Sequence, residues 1–199
     1  IEDFRKDRLL FELVFLGTSA SAPSINRNLP AILVKHDEFR FLVDCGEGTQ
    51  RQILQAGIGF KRLNRILITH GHLDHILGLA GLLSTLLRWE TIEALEIYGG
   101  KAALNRINEL IYGVVLRANH TPFDLALVPI EEGVFIEEKE LTITAIPVQH
   151  RGPDNFGYLF QEKGRYPFLP EKAQELGIPS GPWRKDLVNG KAVTLPDGR

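Results

Sequence analysis

Methionine is missing from this chain altogether, and cysteine occurs once, as Cys45. A lone cysteine excludes an intrachain disulfide and fits a reducing, cytoplasmic compartment. It also excludes a thiolate-rich metal centre, so any metal ligands are imidazoles and carboxylates. No run approaches the ~20 apolar residues of a membrane-spanning helix, so no membrane segment is expected. The first residues, Ile1-Glu2-Asp3-Phe4-Arg5-Lys6, lack the signature of a signal peptide. Charge of one sign is not in excess either: 23 basic and 25 acidic residues leave a net charge of -2. Nucleic-acid contact therefore has to come from a local basic patch, not from a global field. No internal repeat is visible. The want of even an initiator Met is expected of an incomplete chain. So is the end at Thr194-Leu195-Pro196-Asp197-Gly198-Arg199, which reads as a strand and turn with no strand to follow.

What is present suits one sizeable globular domain with a real core: 199 residues, 44% hydrophobic and 24% charged. Strand-like alternation runs over Leu10 to Leu16, followed by a loop of small residues, Gly17 to Pro23. Ala31 to Lys35 and Phe39 to Val43 read as a hairpin turning at His36-Asp37-Glu38. Asp44 to Thr49 reads as a turn opening a helix over Gln50 to Ala56. Ile66 to Ile68 is a short buried strand. Helices are predicted over Ile76 to Leu87 and Lys101 to Ile111. Further strands are predicted at Leu95 to Tyr98, Leu125 to Pro129, Gly133 to Ile136, Leu141 to Pro147 and Phe156 to Phe160. The many hairpins among the helices favour mixed sheets covered by helices over a doubly wound parallel sheet. From Gln161 the composition shifts to Pro and Gly, and only Glu171 to Leu176 reads as a short helix. Such a stretch is either a tail or a functional protrusion.

Chemistry concentrates in His70-Gly71-His72-Leu73-Asp74-His75, three imidazoles and a carboxylate within six residues. His70 and His72 fall on one side of an extended turn, so both nitrogens can reach one ion. Asp74 and His75 follow where a helix can begin and can face a second ion. Imidazole with carboxylate suits zinc or a similar borderline ion. Two metals ~3.5–4 Å apart can clamp the attacking and leaving oxygens of a phosphodiester displacement. A purely structural role is hard to arrange, because each buried imidazole needs its own partner. With that cluster in place, His150, at the end of a strand, is the best third nitrogen for the first ion. His36 and His120 read as solvated loop histidines.

Asp44 is either a helix-capping residue or a carboxylate that accepts a ligand imidazole's N–H and so fixes its tautomer. The metal motif favours the second reading. Cys45 reads as a small buried apolar residue. Late in the chain Lys163, Arg165, Lys172, Arg184, Lys185, Lys191 and Arg199 interleave with Tyr166, Phe168 and Trp183. They read as a solvated surface or as an arm that contacts RNA phosphates.

These residues resemble the metallo-β-lactamase superfamily and, within it, tRNase Z, the endonucleases that remove the 3′ trailer from precursor tRNA. The resemblance runs from about Leu10 to the end. It rests on Phe15-Leu16-Gly17-Thr18-Ser19, Pro23, Asn28-Leu29-Pro30-Ala31, Leu42 to Gln50, Thr69 to Leu79, and His150 with Phe156-Gly157-Tyr158. The histidine motif specifies only the superfamily. Asp44-Cys45-Gly46-Glu47-Gly48-Thr49-Gln50 points to tRNase Z, as does the late segment with Leu176-Gly177-Ile178-Pro179 and Gly181-Pro182.

The resemblance implies an α/β protein of mixed type: an αββα sandwich, incomplete at the C-terminus, with a protruding exosite arm. It implies a metallo-β-lactamase-like domain over 1–161 and a flexible arm over 162–199 that grips tRNA through Gly181, Pro182, Arg184 and Lys185. Two zinc ions are implied, or manganese in their place, and a homodimer in which one subunit's arm serves the other's active site. His70, His72 and His150 would hold the first metal, and Asp74 and His75 the second. Asp74 would also accept a proton, and Asp44 would support the ligands from behind. A bridging Asp and a last His, which the family draws from C-terminal segments, are not in this chain. Two rivals stand beside this reading. A small-molecule phosphodiesterase of the superfamily would lack the arm. A non-catalytic RNA-binding module, like the half of long tRNase Z that has lost its metal residues, would lack the histidine motif. A secreted β-lactamase would need a signal peptide.

Overall fold

The computed structural model describes residues 11–90, 92–117, 121, 123–163, 168–188, 190–195 and 197–199. His120, Arg165, Tyr166, Leu10 and the first six residues lie outside the described residues.

The chain builds a six-stranded sheet from β1 (Glu12–Gly17), β2 (Ala31–His36), β3 (Phe39–Val43), β4 (Arg65–Leu67), β5 (Ala94–Gly99) and β6 (Asp124–Pro129), lying side by side in chain order. The first three pair antiparallel and the rest parallel. The sheet is mixed because tight hairpins join its first strands while helical crossovers join its last. Three more strands, β7 (Gly133–Glu137), β8 (Leu141–Pro147) and β9 (Phe156–Glu162), form a second, antiparallel sheet.

Two cores sandwich the larger sheet. On one face Leu33, Leu42, Ile66, Ile68 and Ile97 pack under the helices α1 (Thr49–Gln55), α2 (Leu73–Ile76), α3 (Gly78–Trp89) and α4 (Lys101–Asn108). On the other face Val34, Phe41, Leu67 and Tyr98 meet Ile136, Leu141, Ile143 and Phe156 of the smaller sheet. Strands buried on both faces carry continuous apolar runs, which is why Ile66-Leu67-Ile68 shows no alternation.

The structure differs from the sequence reading in several places. His36 is buried, 3% exposed, and not a solvated loop residue. The hairpin turns on Asp37 and Glu38 alone, so His36 pairs with Phe39 as the last residue of β2. Its ring packs on Phe11, and its Nε2 lies 3.6 Å from Glu162. The helix expected over Ile76 to Leu87 is broken at Leu77, where Gly78 donates its N–H to Cys45 and not to its own helix. The helix expected over Lys101 to Ile111 is α-helical only to Asn108 and continues as a π-helix, Glu109–Leu116. That wider winding brings residues five apart, Ile111 and Leu116, together into the core. Past Lys191 there is a turn at Asp197 but no strand among the described residues. A short helix, α6 (Trp183–Val188), escaped the sequence reading; α5 (Pro170–Glu175) did not. Neither packs substantially on a sheet.

Candidate metal centre

β4 delivers the motif. It pairs with β3 and β5, and the chain leaves the sheet past the strand's C-terminal end, at Thr69. Gly71 lies against α4, where a Cβ would stand 3.0 Å from Ala103 Cα. Arg106 of α4 donates to the Gly71 carbonyl (2.5 Å). His72 has extended backbone, and α2 starts at the next residue. This change from strand to helix gathers His70, His72, Asp74 and His75 around one cavity, with the His70 and His75 ring centroids 4.0 Å apart and those of His70 and His72 4.5 Å apart.

A second segment is laced to the first. Asp44, just after β3, has a left-handed backbone with φ 59. Such a conformation is costly for a residue with a Cβ and persists only where its surroundings fix it. Here the surroundings are the motif itself. Asp44 accepts the Thr69 N–H (2.8 Å) and the Thr69 hydroxyl (2.8 Å), and its Oδ2 lies 2.8 Å from His75 Nδ1. It caps no helix, since α1 begins after Gly48. Backbone bonds from Cys45 to His75 and from Gly78 to Cys45 complete the lacing. Gly46 makes it sterically feasible, because a Cβ there would stand 2.5 Å from the Asp74 carbonyl.

These contacts fix tautomers. The Thr69 hydroxyl has one proton and gives it to Asp44. It must therefore accept from His70 Nδ1, 2.9 Å away, which leaves the His70 Nε2 lone pair free on the ring's other side, in the cavity. His75 donates from Nδ1 to Asp44, which leaves its Nε2 lone pair 3.7 Å from Asp74 Oδ2. Asp74 Oδ2 itself accepts the N–H of Ser21, from the loop of small residues after β1.

The loop between β8 and β9 brings the third imidazole. Phe156 donates to the Thr69 carbonyl, tying the two loops together. His150 Nε2 then lies 3.3 Å from His72 Nδ1, which lies 3.0 Å from His70 Nε2. Ligand atoms of His70, His72 and His150 all fall within 4.8 Å of one another. Zn–N bonds of about 2.0–2.1 Å in tetrahedral geometry put neighbouring nitrogens roughly 3.4 Å apart, so the donor set fits one ion. Protonation is a poor substitute for that ion. Burial first, and then the neighbouring His75, holds the His70 imidazole down at about 4. Burial alone would lower His75 too, but the hydrogen bond and charge of Asp44 outweigh it and raise its pKa. Burial would raise Asp74, but the Ser21 N–H and the charge of His75 hold it below the usual carboxylate range.

All five expected ligands and Asp44 thus line or back one open cavity of about 680 Å³. Thr69, Ser21 and Arg106 escaped the sequence reading. Thr69 had a signal in its place directly before His70; the other two are brought in by tertiary packing. Gly181, Pro182, Arg184 and Lys185 lie in the late segment. Gly181 sits under the Trp183 indole, where a Cβ would clash. Arg184 is turned inward, donating to the carbonyls of Ile178 (2.8 Å) and Pro179 (2.9 Å) with its guanidinium 5.0 Å over the Phe168 ring. Lys185 is exposed.

Residues 11–167 match the family model described as Anti-Pycsar protein Apyc1. The chain belongs to that family. Ribonuclease Z of Bradyrhizobium diazoefficiens is 45% identical to it over 190 residues, which are 96% of this chain and 63% of that protein. Ribonuclease Z of Bacillus subtilis is 38% identical over 192 residues, 94% of this chain and 61% of that protein. The chain thus spans about three fifths of the length of these relatives. Among solved structures, human tRNase Z, short form, has a TM-score of 0.63 at 29% identity, covering 76% of this chain and 64% of that one. The metallo-β-lactamase fold protein YhfI from Bacillus subtilis, with a TM-score of 0.58 at 18% identity, covers 77% of this chain and 57% of its own and shares the fold. The fold is that of the metallo-β-lactamases, and the resemblance to tRNase Z extends along almost the whole chain. No helix among the described residues is long and apolar enough to cross a membrane.

Proposed function

We propose that this chain is the metal-binding part of an endoribonuclease that removes the 3′ trailer from precursor tRNA. The observation that carries the reading is the 45% identity to a protein named Ribonuclease Z along 96% of the chain. The geometry of the centre supports it, since three converging imidazoles beside a carboxylate–imidazole pair suit a hydrolytic site.

His70, His72 and His150 would hold one zinc ion, and Asp74 and His75 would contribute to a second; manganese fits the same donors. Bound zinc would supply Lewis acidity and bring the pKa of a water toward neutrality. The chain's own residues do the rest. Asp44 and Thr69 keep His70 and His75 in the tautomers that point lone pairs inward. The Ser21 N–H holds one oxygen of Asp74, so that the carboxylate stays ionised and aimed into the cavity. Asp74 then receives the proton of the water that attacks the phosphorus. The products are tRNA with a 3′-hydroxyl and a trailer with a 5′-phosphate. The late segment, 162–199, acts as an arm on the domain of 1–161, and Gly181, Pro182, Arg184 and Lys185 shape or contact its hold on tRNA. Arg184 serves by fixing the arm's own fold, which leaves Lys185 to meet phosphate. The protein works in the cytoplasm as a homodimer, with each arm serving the partner's site.

The experiment is metal content by plasma mass spectrometry together with precursor-tRNA cleavage, on this chain and on the full-length gene product. Two zinc ions per full-length subunit with cleavage at the tRNA 3′ end is the expected result. Zinc without cleavage of precursor tRNA would discard the substrate. It would favour the second reading, a small-phosphodiester hydrolase on the same centre. One observation favours that reading: the matching family model is named for an anti-Pycsar protein and not for a nuclease.

A further inference from the structure

Beside the metal centre lies a second, smaller cavity of about 230 Å³, walled by Gly71, His72, Arg106, Arg151 and Asn155 among others. It shares His72, Arg151 and Asn155 with the larger cavity, so the two communicate along one side of the imidazole cluster. Two guanidinium groups face it from different elements. Arg106 comes from α4 and spends one N–H on the Gly71 carbonyl. Arg151 directly follows His150, is exposed, and has no ion-pair partner among the described residues. Asp154, on the same loop, accepts the N–H of Ala102 (3.3 Å), a residue that also lines this cavity, which engages its carboxylate at the start of α4. Asn155 is buried and braces the loop by donating to Gly152 (2.8 Å), which sets the position of Arg151.

We propose that Arg106 and Arg151 form a phosphate subsite next to the metal centre, taking an internucleotide phosphate adjacent to the scissile one. Guanidinium groups match phosphate oxygens in fixed forks. A substrate with one phosphate would leave this subsite empty, whereas a polynucleotide places a second phosphate one nucleotide away. The inference rests on the endonuclease reading and sharpens it, because it makes the centre selective for a chain of phosphates. Arg106 has a double duty. The same side chain that holds the Gly71 carbonyl, and with it the spacing of His70 and His72, presents its remaining N–H groups to the substrate.

The test uses the full-length metal-loaded protein and trailer-bearing RNA in which the linkage on either side of the scissile phosphate is made neutral, in turn, as a methylphosphonate. One of the two neutral linkages should raise the KM of the unaltered protein about tenfold, the effect of losing one charge-assisted hydrogen bond. In Arg151→Ala the same linkage should change KM less than about twofold. Arg106→Lys, which keeps a charge and a donor to Gly71, should keep part of the coupling; a purely structural Arg106 would show none to either linkage. Arg88→Ala, which removes an equal charge at the far end of α3, should keep the full tenfold effect. The salt dependence of RNA binding should also flatten by about 0.7 in log–log slope in Arg151→Ala. Equal KM changes in the unaltered protein and in Arg151→Ala would overturn the subsite while leaving the endonuclease reading intact. No cleavage of any RNA by the unaltered protein would overturn both.

Discussion

At the scale of single residues, the centre depends on one hydroxyl. Thr69 stands between Asp44 and His70, donating its hydroxyl to one and accepting a hydrogen bond from the other. Removing the hydroxyl while keeping the shape should free His70 to adopt the other tautomer, with its Nε2 protonated and unable to bind a metal. Thr69→Val should therefore weaken zinc affinity about tenfold or more, in the range of such supporting contacts. Competition with a chromogenic chelator measures this, and an unchanged affinity would show that Thr69 does not orient His70. The residue scale also marks where the sequence was readable. His70, His72, Asp74 and His75 declare themselves because all four lie within six positions, which a local reading can see. His36 was misread as a solvated loop residue because its burial is set by Phe11 and Glu162, which no local pattern reveals.

Among the elements, α2 and α3 are separated for a reason that lies in the loop after β3. Gly78 gives its N–H to Cys45, and its missing Cβ lets the Gly46 carbonyl come close; a Cβ there would stand 2.0 Å from that oxygen. The same contact seats His75 against Asp44. Gly78→Ala should force the two segments apart and destabilise the protein by about 1–3 kcal/mol, the usual cost of overpacking. It should also loosen His75 from Asp44. Urea unfolding with and without zinc measures both effects, and a midpoint equal to that of the unaltered protein would count against the close packing described. Strands were legible to within a residue or two, because apolar alternation and turn residues are local. The break at Leu77 and the π-helical turn after Asn108 were not, since both answer to long-range packing.

For the whole molecule, the centre joins layers. His70 and His72 come from the segment that follows β4 of the larger sheet, and His150 from the loop between β8 and β9 of the smaller one. An ion held by all three would cross-link the loops that follow the two sheets' strands, in addition to their shared core. Chelation should therefore lower the melting temperature. At free zinc 100-fold above its Kd, the stabilisation is about 2.7 kcal/mol, or about 5–10 °C for a chain of this size. Calorimetry with and without EDTA checks this, and coincident transitions would show that the cluster holds no ion.

The sequence by itself determined the mixed sheets, the cluster of candidate metal ligands and the resemblance to tRNase Z, because these are written in short-range periodicity and spacing. Only the tertiary structure decided how these side chains are oriented, since the Asp44 carboxylate that accepts from His75 and the Ser21 N–H that donates to Asp74 lie on segments remote from the motif. It also decided that His150 meets His72 across 78 positions of sequence, and that Arg106 and Arg151 share a cavity. The physical reason is the same throughout. Hydrophobic patterning specifies which face of each element is buried, whereas a convergent polar site requires the relative placement of elements, which packing alone supplies.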